Sequence, residues 1–146
     1  MSITAVIREY NPSTGNLLGT INDFDYGNIN IGEFCSVRVF DIYVPEVSYI
    51  SNVTLQITSS PKIVVNAAPI DIGADGSAGN GNFGIETSTT FVSRNTLTRF
   101  FAGLSAPVTV GTRLGNVSKF IYLNVRMALD AADSGSAVYK VSFDYS

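Results

Sequence analysis

Two stretches decide the fold: Lys119-Phe120-Ile121-Tyr122-Leu123-Asn124-Val125-Arg126-Met127-Ala128-Leu129 and Tyr139-Lys140-Val141-Ser142-Phe143-Asp144-Tyr145. In the first, every second residue from Ile121 to Leu129 is apolar. In the second, Tyr139, Val141, Phe143 and Tyr145 repeat the period, with Lys140, Ser142 and Asp144 between them. A period of two puts each apolar set on one face of a pleated strand. Between the runs, Asp130-Ala131-Ala132-Asp133-Ser134-Gly135-Ser136 has loop composition. The pattern predicts an antiparallel hairpin with Leu129 near Tyr139, Val125 near Phe143 and Leu123 near Tyr145. A one-residue slip would drive Lys140 and Asp144 into the core. Two strands alone are marginal in water, so the apolar face needs a second layer from upstream.

Upstream, strands alternate with turn signals. Ile3–Tyr10 reads as a strand. Asn11-Pro12-Ser13-Thr14-Gly15-Asn16 is a turn cluster, and Leu17–Ile21 a short returning strand. Residues 22–32, rich in Asn, Asp and Gly, read as a connection. Phe34–Val44 is a strong strand whose apolar phase switches from odd positions (Cys35, Val37, Val39) to even ones (Phe40, Ile42, Val44). That switch predicts a bulge or burial on both faces. Ile50–Ser59 turns Val53, Leu55 and Ile57 inward, and Ile63–Asn66 is extended. Residues 71–84 carry five glycines and predict a long loop or arm touching a neighbour. Ile85–Val92 reads as a strand. Leu97, Phe100, Phe101 and Leu104 have helical spacing, which a short helix or an irregular aromatic plug would satisfy. Short strand-and-turn pieces at 107–110 and 113–118 lead into the final runs. The sum is an all-β fold: an antiparallel β-sandwich, immunoglobulin-like or jelly-roll, with a long Gly-rich loop and at most one short helix.

The chain's 146 residues predict one domain spanning 1–146. Area scaling leaves about 7,000 Å² exposed of about 23,000 Å², enough burial for a core without staples. Charged residues are only 14% against 45% hydrophobic. Such a surface is covered either by neutral polar groups or by a partner. The net charge of −3 and the scattered Arg and Lys positions argue against a nucleic-acid partner. No basic region precedes an apolar run at the start, and no stretch approaches the roughly 20 apolar residues of a membrane span. A chain made inside the cell, without a membrane partner, is the expectation.

The residue inventory limits chemistry. With no histidine, a Ser-His-Asp or Cys-His arrangement cannot be built, and Cys/His zinc sites are excluded. Cys35 stands alone and reads as a core residue. Paired carboxylates are the one catalytic option left. Asp23, Asp25, Glu33, Asp41, Glu46, Asp71, Asp75 and Glu86 form no recognisable constellation. Asp71 and Asp75 do not match an EF-hand or RTX calcium loop, and Gly79–Gly84 lacks the lysine of a phosphate loop. Asn52-Val53-Thr54 and Asn116-Val117-Ser118 match the glycosylation sequon by chance. Tyr and Phe could stack on sugar, but the core accounts for most of the Phe residues. The expectation is a non-enzyme with no catalytic, cofactor-binding or metal-binding residues.

Taken together, the short N-terminus, the Ser/Thr/Asn/Gly-rich β-structure, the missing histidine and the Tyr/Val/Phe strand at the C-terminus resemble the small virion structural proteins of tailed bacteriophages. The resemblance implies a capsid decoration or cement protein that binds neighbouring subunits. A neck, tail or baseplate component and a carbohydrate-binding β-sandwich are the alternatives. Its implied partners are the major capsid protein or tail and neck proteins, with further copies of itself. Its implied place is the virion, assembled in the host cytoplasm.

Overall fold

A computed structural model describes residues 3–22, 35–59, 83–97, 100–101, 107–125 and 138–146. Its strands, in chain order, are β1 (Val6–Tyr10), β2 (Leu17–Ile21), β3 (Arg38–Tyr43), β4 (Ile50–Ser59), β5 (Phe83–Ser88), β6 (Phe100–Phe101), β7 (Val108–Thr109), β8 (Thr112–Leu114), β9 (Val117–Ser118), β10 (Phe120–Val125) and β11 (Val138–Tyr145). No helix occurs among the described residues. The large sheet has eight strands, running β2-β1-β3-β10-β5-β6, with β9 joined to both β3 and β8. The small sheet is β11-β4-β7. Every described pairing is antiparallel.

The core lies between the sheets. Phe40, Ile42 and Val44, Phe83 and Ile85, and Ile121, Leu123 and Val125 line it from the large sheet. Ile50, Val53 and Leu55 line it from the small sheet, with Val108, Tyr139, Val141 and Phe143 packed alongside. This is an antiparallel β-sandwich.

The predicted hairpin is overturned. β10 lies in the middle of the large sheet, between β3 and β5, whereas β11 pairs with β4 in the small one. Periodicity reports which face of a strand is buried, not which strand lies beside it. The two apolar sets contribute to one core from opposite sheets, and the Tyr139 ring meets Phe83 edge-on at 6.0 Å. Leu129 and the loop at 130–136 lie outside the described residues.

Other boundaries shift. The strand expected at 85–92 begins at Phe83, taking the last two residues of the predicted Gly-rich loop, and stops at Ser88. The rest of that loop, and the stretch at 63–66, lie outside the described residues. Phe100 and Phe101 pair as β6 with Gly84 and Phe83, so the helical spacing there was accidental. The phase switch before β4 marks burial on both faces. Val37 and Val39 pack on the outer side of the large sheet, and Phe40, Ile42 and Val44 on the inner side.

Two local devices fix registers. Asn11 Oδ1 accepts from the Ser13 and Thr14 amides, and its carbonyl accepts from Gly15 N, which closes the turn between β1 and β2. Gly15 has φ 77°, and a side chain there would run into the Phe91 ring. In β4, Asn52 adopts φ 50°, and the register with β11 slips between Ser142 and Asp144. That bulge lets Ile50, at an even position, share the core face with Val53 and Leu55.

Candidate functional site

The outer face of the large sheet carries two charged clusters. Register sets Arg8 of β1 opposite Asp41 of β3. Arg8 donates to both Asp41 oxygens, through Nε at 2.8 Å and Nη2 at 2.9 Å. The Tyr10 hydroxyl donates to Asp41 Oδ2 at 2.7 Å, and Arg113 Nη2 to the same oxygen at 2.9 Å. Asp41 is fully buried. Aromatic rings wall the cluster: the Arg8 guanidinium sits over Tyr43, Arg113 sits 4.0 Å over Phe120, and Tyr10 meets Phe120 edge-on. The hydrogen bond to Asp41 raises the Arg8 pKa against the opposing effect of burial. Burial first, then the hydrogen bond to Asp41 and its charge, push the Tyr10 phenol up.

A second cluster lies toward β5. Segment 91–97 crosses Tyr122 of β10, whose hydroxyl accepts from Val92 N and donates to Val92 O, both at 2.8 Å. Arg94 stacks over the Tyr122 ring and pairs with Glu86 at 2.9 Å. Leu97 is buried with Tyr122, Val37 and Val39. Beside them Asn124 lies across Gly84, where a Cβ would collide with Asn124 Oδ1 and press on Leu97. Gly84→Ala is therefore expected to cost about 1–3 kcal/mol. Chemical denaturation should show Asn124→Ala recovering part of that loss in the double variant, because it removes the obstructing amide.

The candidate acids are thus accounted for where they are described. Asp41 is held as above, Glu86 faces Arg94, and Glu46 Oε1 accepts from the Thr4 amide. Asp23, Asp25, Glu33, Asp71 and Asp75 lie outside the described residues. Among those described, no three His, Cys, Asp or Glu residues gather as a metal site. Cys35 is half-buried, and burial raises its thiol pKa against the Val125 amide, which donates to Sγ. Such a thiol is a poor nucleophile at neutral pH. Asn116 donates to the carbonyls of Val44 and Val47, so its amide serves the fold.

The described arginines are used in the same way. Arg8 and Arg113 hold Asp41, Arg38 holds Glu9, and Arg94 holds Glu86. Lys62, Arg99 and Arg126 lie outside the described residues. No described helix is long and apolar enough to cross a membrane.

The Asp41 cluster was not foreseen from the sequence, although a signal was there. Asp41 interrupts Val39-Phe40-Asp41-Ile42, and an acid inside an apolar strand must find a cation or pay heavily for burial.

What the polar face does not offer, the sheet edges do. Among the described residues β2 ends the large sheet, with Leu17 57% and Leu18 59% exposed. β11 ends the small sheet, paired there with β4 alone. Edges of this kind present backbone donors and acceptors to another chain. No protein-family model matches the chain, and a search of curated proteins also finds no match.

Proposed function

We propose that the protein is a non-catalytic structural component of a virus particle, a capsid decoration or cement protein that binds and stabilises neighbouring subunits. The observation that carries this reading is the contrast between the polar face and the edges. The four described arginines are committed to Asp41, Glu9 and Glu86, while each sheet ends in a strand with one side unpaired among the described residues. A scaffold of this kind can add strands to a neighbour and has little means of transforming a substrate. The low charge and the resemblance to tailed-phage virion proteins point the same way. Its partners in this reading are the major capsid protein or neck and tail proteins, and its place is the virion.

Gradient sedimentation of particles made from the encoding genome tests the reading. The protein should travel with the particles at fixed stoichiometry, and purified protein should rebind to particles stripped of it. A protein that stays at the top of the gradient removes the proposal. Glycan-dependent NMR shifts at the exposed Tyr49 and Tyr145 would instead support the carbohydrate-binding alternative.

A further inference from the structure

Among the described residues one side of β11 is open, and that side is complementary to itself. Its only charged residues are Lys140 and Asp144, both exposed on the outer face and flanking Ser142 symmetrically. Val141 and Phe143 flank Ser142 on the core side, where they are half-buried. The Ser146 N–H and C=O both bond to Tyr49. Alternation along the strand then turns the peptide groups of Tyr145, Phe143 and Val141 toward the open side.

We infer that β11 pairs antiparallel with β11 of a second copy of this chain, about a twofold axis through Ser142. The two small sheets then run on as one. In that register Ser142 faces Ser142, and Val141 of one copy exchanges backbone hydrogen bonds with Phe143 of the other. Lys140 of each copy faces Asp144 of the other, so the symmetry makes the charge pair twice. Moving the axis to Val141 or Phe143 separates the charges. Moving it to Lys140 or Asp144 sets like charges opposite each other, which is unfavourable. Placing it between residues puts the core face of one copy beside the outer face of the other. Asn52 Nδ2 steadies the Asp144 carboxylate through Oδ2 at 2.7 Å. The inference goes beyond the particle reading and does not depend on it.

Sedimentation velocity of the full chain across a concentration series provides the test. A dimer is expected. Lys140→Glu and Asp144→Lys should each raise its dissociation constant about tenfold, since each makes two like-charge contacts. The double variant should restore the wild-type value. An equal mixture of the two single variants should form mixed dimers in preference to either parent. Both positions are exposed, and unchanged melting temperatures of the diluted proteins verify that the fold is intact. A chain that stays monomeric throughout the series overturns the inference. So does a dimer indifferent to these charges, or one broken instead by Leu18→Lys on β2.

Discussion

Asp41→Ala is expected to lower the unfolding free energy by about 3 kcal/mol, read by urea denaturation at neutral pH. Removing the carboxylate strands two guanidinium groups that were placed to neutralise it. The figure sits at the low end for a broken buried pair because Arg8 and Arg113 remain 23% and 21% exposed and can turn partly to water. Arg113→Met added to Asp41→Ala should recover part of the loss, since it removes one unpaired charge and keeps the packing against Phe120. The cluster also gives a pH dependence of defined sign. The folded Tyr10 phenol has its pKa raised above the ordinary value of 10.0. Its contribution is complete below that value and is lost as the pH climbs through the folded pKa. Tyr10→Phe should therefore flatten the alkaline limb of the stability curve.

Tyr122→Ala is expected to cost about 3–5 kcal/mol, the range for emptying a buried aromatic site. Tyr122 is wholly buried, and its ring supports Phe91, Arg94 and Leu97. Tyr122→Phe isolates the hydroxyl and should cost about 1–2 kcal/mol, because both polar groups of Val92 lose their partner. Hydrogen exchange separates the two effects. In Tyr122→Phe the Val92 amide should lose protection while the β10 amides keep theirs. Uniform loss across β10 would mean that the hydroxyl holds the sheet and not the crossing segment.

Much of the fold was legible because alternation survives without knowledge of partners. β2 and β4 fall on the predicted residues, and the phase switch before Phe40 correctly marked a strand buried on both faces. Pairing was not legible, since strands from opposite sheets of a sandwich share the same period. Tyr122 and Asn124 fall opposite the apolar face that alternation marks, yet both are buried, Tyr122 beneath segment 91–97. Nothing in a period of two announces such a cover. The aromatic spacing from Leu97 to Leu104 imitated a helix until Phe100 and Phe101 found β5 as a neighbour. The locked polar face was legible only in retrospect, from one acid in an apolar strand. The edge at β11 needed the pairing, and hence the coordinates.

The long-range pairing of β4 with β11 also sets a timetable. Ser59 must wait for Val138, and Ile50 for Tyr145. At a synthesis rate of ~5–20 residues per second, β4 leaves the ribosome several seconds before its neighbour exists. During that interval its apolar side chains and unpaired backbone are available to chaperones and to other nascent chains, so the small sheet is completed late and with high contact order.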